Sequence, residues 1–148
     1  MFLRKISLLF VVLFLTVSCS TTKTGLSSDS DPSQNELASN VPNYVLFDID
    51  SARLESDSRS SLDKQVEWLE ANPDINIVIE GHCDERGTRE YNLALGAKRA
   101  NSAKSYLIAA GINRSRIATI SYGKERPVIQ GAGASVWKEN RRAITSIN

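Results

Sequence analysis

Residues 75–111 constrain this chain more than any other stretch. Ile75, Ile77 and Ile79 alternate with Asn76, Val78 and Glu80, the period-two pattern of a β-strand with one face committed to a core. A glycine-containing polar run, His82 to Gly87, interrupts that pattern and predicts a loop. A long helix is expected next, with Leu93, Ala97, Ala100 and Leu107 on its buried side and Gly111 just past its end. A strand with one apolar face needs neighbours at its edges and a cover on that face. A layered α/β arrangement is the simplest answer.

The flanking sequence supplies the other elements. Tyr44 to Phe47 reads as a short strand. Asp57 or Ser58 is expected to cap a helix whose stripe is Leu62, Val66 and Leu69, and Asn72-Pro73 to end it. Arg116 to Tyr122 predicts a third strand, Gly123 to Ser135 a loop rich in Gly and Pro, and Arg142 to Ile147 a last strand. This order predicts a two-layer α/β sandwich with the helices packed on one face.

The first 42 residues have a different character. Arg4 and Lys5 precede an apolar run from Ile6 to Val17 of 12 residues, too short for the roughly 20 that a permanent membrane helix needs. A basic start, a short apolar core and small residues form a secretory signal. Leu15-Thr16-Val17-Ser18-Cys19 resembles the lipobox of bacterial lipoproteins, although Thr16 stands where leucine is usual. That resemblance implies cleavage before Cys19, with a diacylglycerol on its sulfur and an acyl chain on its new amine, an attachment one chain alone could not secure. A plain secreted protein with an incidental cysteine is the alternative. By resemblance to lipoprotein sorting in enteric bacteria, Ser20 in place of aspartate implies the outer membrane rather than the inner one. Ser20 to Pro42 is mostly Ser, Thr, Asp, Asn and Gln, a composition that reads as a flexible linker. The expected division is a signal peptide at 1–18, a lipidated N-terminus and linker at 19–42, and a folded domain at 43–148.

Charge excludes some partners. The formal net charge is +1, from 18 basic and 17 acidic residues; removing Arg4 and Lys5 leaves 16 against 17. No broad field exists to hold nucleic acid or an anionic membrane surface. Any ligand must be held by a few placed groups. Cys83, left without a partner if Cys19 is acylated, is expected to be a small buried residue.

Those placed groups gather in Gly81–Ala100. Asp84 lies where the strand leaves for its loop, and Asn92, Leu95 and Arg99 follow at i, i+3 and i+7 along one face of the next helix. This face is expected to differ from the Ala/Leu side. An acid, an amide and a guanidinium could converge there on a zwitterion such as the free end of an amino acid. A structural Asp84–Arg99 ion pair is the competing reading. Metal chemistry is disfavoured, because His82 is the only histidine and no third ligand is suitably spaced. No set of residues suggests catalysis.

Gly81-His82-x-Asp84-x-x-Gly87-x-x-x-x-Asn92-x-x-Leu95-Gly96-x-x-Arg99-Ala100 resembles the signature of the OmpA-like peptidoglycan-binding domain. Phe47-Asp48-Ile49-Asp50, Ser121 to Pro127 and Asn140-Arg141-Arg142-Ala143 extend the likeness towards the peptidoglycan-associated lipoproteins of the Tol-Pal system. The resemblance spans about Tyr44 to Ile147. It implies an OmpA-like sandwich with a mixed four-stranded sheet, and a pocket for the diaminopimelate side chain of the stem peptide. Asp84 and Arg99 would hold its amine and carboxylate, with Phe47 and Asp48 lining the pocket. Asn92 and Leu95 would shape its helix side, and His82 and Arg141 would stand nearby. Cys83 departs from the usual alanine.

Further implications are a lipid-anchored protein on the periplasmic face of the outer membrane and non-covalent tethering of that membrane to the wall. Docking to the periplasmic β-propeller protein of the Tol system and a part in envelope integrity and cell division follow from the same likeness. No cofactor beyond the lipid on Cys19 is expected. The alternatives are an OmpA-like lipoprotein outside the Tol system and, further off, a peptidoglycan-acting enzyme. Replacing Asp84 or Arg99 with alanine is expected to abolish wall binding and spare the fold.

Overall fold

The computed structural model describes residues 37–148. The expected signal peptide, Cys19 and the part of the expected linker up to residue 36 lie outside the described residues. Four strands and three helices follow in the order β1 (Tyr44–Leu46), α1 (Ser56–Ala71), β2 (Ile77–His82), α2 (Arg89–Ala109), β3 (Ile117–Gly123), α3 (Ala134–Asn140) and β4 (Arg142–Ile147). The strand order is β1-β4-β2-β3. β2 and β3 are parallel, while β4 runs antiparallel to both β1 and β2. The mixed four-stranded sheet is therefore as expected.

Alternation decides which face is covered. Ile77 and Ile79 of β2, Val45 of β1, Ile117 of β3 and Ala143 of β4 join Leu62 and Leu69 of α1 and Ala100, Ala103 and Leu107 of α2 in one core. Burying an aliphatic side chain of this size is worth about 1.5–3 kcal/mol. The core therefore holds α1 and α2 on one face of the sheet. Gln65, fully buried on α1, reaches both sides of this layer: its Nε2 donates to Pro42 O at 2.7 Å, and its Oε1 accepts from Thr145 Oγ1 of β4 at 2.8 Å. Leu37 is buried as well, so packing begins earlier than the expected boundary at residue 43.

Several local expectations change. α1 starts at Ser56 after Glu55, which makes no side-chain cap. Asp57 thus sits in the first turn, where its charge suits the helix dipole, and the Ser58 hydroxyl donates to Leu46 O. The α1 stripe is Leu62, Gln65 and Leu69, with Val66 only partly buried. β2 extends through His82 rather than stopping before it. On α2 the buried positions are Asn92, Gly96, Arg99, Ala100, Ala103 and Leu107, whereas Leu93 is 46% exposed. The polar residues near the helix start therefore share the core-facing stripe instead of occupying a separate side. α3 falls where no element was foreseen.

Gly111 does end α2 as expected. It has φ +110°, its N–H donates to Ile108 O, and Ile112 N–H donates to Leu107 O, the two bonds of a Schellman motif.

The start of α2 is set by a close approach to the sheet. A Cβ on Gly81 would run into the carbonyl of Gly96, and one on Gly96 would meet the hydroxyl of Ser121. Both signature glycines are needed so that the helix backbone can rest on β2 and β3. This contact fixes the height of α2 above the ends of the parallel strands.

Candidate functional site

Where β2 ends, the chain must turn from the sheet into α2, and this turn is held from several sides. Gly87 takes φ +86°, a left-handed conformation that glycine adopts freely. Thr88 Oγ1 accepts from Tyr91 N–H and caps α2. Asn92, buried one turn into the helix, donates from Nδ2 to Arg86 O at 2.7 Å and Thr88 O at 2.9 Å. Lys124 Nζ donates to Glu85 O and Gly87 O from the end of β3. Asn92 thus shapes the site by fixing the loop.

The turn and the segment after β1 enclose a pocket of about 280 Å³ lined by Asp84, Asn92, Leu95, Arg99 and Arg141, together with Ile49, Asp50, Cys83, Arg86, Gly87 and Tyr91. Five of the foreseen residues meet there. Phe47, Asp48 and His82 do not line it. Phe47 lies in the core with its ring 5.4 Å from the Arg99 guanidinium carbon. Asp48 is exposed and lines a separate groove of about 560 Å³ beside β1. Strand alternation accounts for this: Val45 and Phe47 point inward, and the chain then turns at Asp50, whose φ is +54°. Ile49 and Asp50 are brought to the pocket instead.

His82 is buried with its ring against Tyr122, at 5.6 Å between centroids, and its Nδ1 lies 3.1 Å from Arg126 O. Burial, aided by the Arg142 charge, lowers its pKa to about 4. It is therefore a neutral structural ring at physiological pH. Among the described residues no group of three or more possible metal ligands occurs.

Arg99 and Asp84 are not an ion pair in the manner first considered. Arg99 has no exposed surface, and its guanidinium donates to three backbone carbonyls: Nε to Ser51 O at 2.8 Å, Nη1 to His82 O at 2.8 Å and Nη2 to Asp48 O at 3.0 Å. It fastens the segment after β1 to the end of β2. Five N–H donors allow it to do this and still face the pocket.

Asp84 is held by Arg86, through Nε at 3.0 Å and Nη2 at 2.6 Å, and by Arg141 Nη1 at 3.4 Å. Burial pushes its carboxyl pKa up, but these bonds and the Arg86 backbone N–H outweigh that effect and leave it lowered. Arg141 is anchored in turn by Nε donating to Phe47 O. The Cys83 thiol is buried, donates to Asn92 O at 3.3 Å, and has its pKa raised by burial, with Arg99 opposing. It is the small buried residue that was expected.

A buried carboxylate beside guanidinium groups, with Leu95, Ile49 and Tyr91 around the mouth, can grip a small ligand carrying both charge signs and a short apolar stem. The chemistry is that of a binding domain. The OmpA family matches residues 46–141. A peptidoglycan-associated lipoprotein of Rhizobium meliloti is 47% identical over 121 residues, which are 82% of this chain and 69% of that protein. One of Mesorhizobium japonicum is 44% identical over 124 residues, 84% of this chain and 74% of the relative. The crystal structure of the peptidoglycan-associated lipoprotein from Burkholderia pseudomallei superposes with a TM-score of 0.70 at 37% identity, covering 72% of this chain and 91% of that one. The C-terminal domain of Helicobacter pylori MotB shares the fold alone, with a TM-score of 0.67 at 18% identity over 72% of this chain and 84% of that one. The chain belongs to the OmpA family and, within it, to the peptidoglycan-associated lipoproteins. These are structural proteins rather than enzymes.

Proposed function

We propose that this protein binds peptidoglycan non-covalently, taking the diaminopimelate side chain of a stem peptide into the Asp84 pocket, and so tethers the outer membrane to the wall. The observation that carries the reading is a buried, ionised Asp84 facing the same 280 Å³ pocket as Arg99 and Arg141. The names of the relatives mention peptidoglycan, which supports the wall as the binding partner.

In this reading Asp84 accepts from the ligand's ammonium, and the free donors of Arg99 and Arg141 face its carboxylate. Leu95 contacts the methylene stem, while Asn92 keeps the loop in place. Ile49 and Asp50 take the lining role first assigned to Phe47 and Asp48, and His82 supports from behind. Lipid on Cys19 anchors the protein to the periplasmic face of the outer membrane, after removal of the signal peptide at 1–18. No cofactor takes part. Docking to the β-propeller protein of the Tol system, and through it a part in envelope integrity and cell division, completes the proposal.

Sedimentation with purified sacculi tests the core of it. The wild type should pellet with the wall, and Asp84→Asn should remain in the supernatant while keeping its circular dichroism spectrum. Equal pelleting of the two would remove Asp84 from the site. Release of soluble muropeptides by the wild type would instead indicate an enzyme.

A further inference from the structure

Asp84 already carries a removable cation. Arg86 reaches back onto it through both Nε and Nη2, and the Arg86 backbone N–H adds a bond to Oδ1 at 3.1 Å. This bidentate fork covers both carboxylate oxygens. Among the described residues the Arg86 side chain makes no other hydrogen bond. It also packs against α3, where the guanidinium carbon lies 4.3 Å from the centroid of the Trp137 ring. Trp137 is oriented in turn by Nε1 donating to Glu85 Oε1 at 3.0 Å.

The two arginines on Asp84 differ in how they are fixed. The Arg141 side chain is 10% exposed and is tied to a backbone carbonyl, whereas that of Arg86 is 39% exposed and rests on an aromatic face. Arg141 is built into the domain, and Arg86 can swing out into solvent without leaving a buried donor unsatisfied.

We infer that Arg86 is an internal competitor: it occupies the ammonium position of the pocket, and a ligand ammonium displaces it from Asp84. This rests on the reading of Asp84 as the ammonium acceptor. With Arg86 in place, Arg86, Arg99 and Arg141 face Asp50 and Asp84 across the pocket, an excess of positive charge. With Arg86 displaced, two guanidinium groups and two carboxylates remain, a set matched to a zwitterion. The exchange replaces one cation at Asp84 by another, so a carboxylate that is costly to leave uncompensated always has a partner. Affinity is then the difference between two similar interactions, which makes the grip moderate and exchangeable. The displaced guanidinium also leaves Trp137, so α3 registers whether the pocket is filled.

The test uses the full-length protein and a soluble diaminopimelate-containing tripeptide muropeptide, followed by calorimetry and tryptophan emission. Arg86→Gln should bind roughly fivefold more tightly than wild type, as expected for removal of one part-exposed competing ion pair. Saturating wild type should change its emission, and this change should vanish in Trp137→Leu, which leaves Trp68 as the remaining tryptophan. Unchanged or weaker binding by Arg86→Gln, or a wild-type signal that survives Trp137→Leu, would overturn the inference. If wild type fails to bind the muropeptide at all, the fault lies in the diaminopimelate reading itself, and the inference falls with it.

Discussion

Two arginines gather backbone carbonyls in this domain, one at each end of β2. Arg116 donates to Ile75 O at 2.8 Å, to Leu69 O at 3.1 and 3.2 Å, and to Asn72 O at 2.7 Å, closing the end where α1 hands over to β2. Arg99 does the same for Ser51, His82 and Asp48 at the other end. Their hydrogen bonding alone would not tell a ligand-facing arginine from a structural one. The surroundings differ: Arg116 is half-buried at the domain surface, while Arg99 is fully buried and faces a pocket with a carboxylate across it. Arg99 thus serves the fold first, and the candidate site is built from a piece of core.

Arg99→Ala should lower unfolding free energy by about 3–5 kcal/mol, since it orphans buried carbonyls and opens a cavity. Denaturant titration would measure this, and loss of wall binding would then accompany loss of fold. The alanine variant, expected from the sequence to spare the fold, should instead weaken it, because Arg99 holds three backbone carbonyls. A near-normal denaturation midpoint would mean that Arg99 is only a ligand contact.

Acid should act next, and at the same end. His82, depressed by burial and by Arg142 to about 4 from 6.5, is neutral in the fold and takes up a proton more readily when unfolded. Its contribution is complete above about pH 6.5 and is lost as pH falls towards 4, roughly 3 kcal/mol in all. Asp84, lowered in the fold, adds a further loss below the ordinary carboxylate range. In His82→Gln, denaturation midpoints should vary less between pH 7 and pH 4 than in wild type; an unaltered dependence would remove His82 as the cause.

Arg116→Ala is the matched control. It should cost about 1–2 kcal/mol, because water can replace the guanidinium at a half-buried site, and sacculus binding should be unaffected. A binding defect there would blur the distinction between the two ends. The smallest effect is expected of Gly111→Ala, at about 1 kcal/mol from the left-handed φ alone, since an added Cβ meets nothing within 4 Å. A thermal shift measurement would register it without any change in binding.

Much of the scaffold was legible because burial and sequence period agreed. Ile77 and Ile79 announced β2, and Gly111 announced the end of α2. Legibility failed where polar residues turn inward. Reading apolar as buried put Leu93 in the core, whereas the stripe actually begins with Asn92 and runs through Gly96 and Arg99 to Ala103 and Leu107. At the site, Asp84 and Arg99 were visible as a motif, but that Arg99 binds carbonyls could not be read from spacing. Asp50 could only be guessed, because aspartate tolerates a left-handed turn without requiring one. α3 is too short, at 7 residues, for a helical period to stand out after a glycine-rich loop. Arg86 was overlooked because its fork onto Asp84 depends on how the loop folds back, which spacing does not give.

Gln65 and Thr145 have a mechanical consequence under the proposed tethering. Tension from the membrane would arrive before Pro42, and tension from the wall would arrive at Asp84 and Arg141, which follow β2 and precede β4 beyond the other end of β1. The load then runs lengthwise along β1, so that its hydrogen bonds to β4, from Asn43 to Phe47, resist in shear together rather than being peeled singly. The Pro42–Gln65–Thr145 chain stands where that load enters and passes part of it sideways to α1 and β4 before the strand feels it.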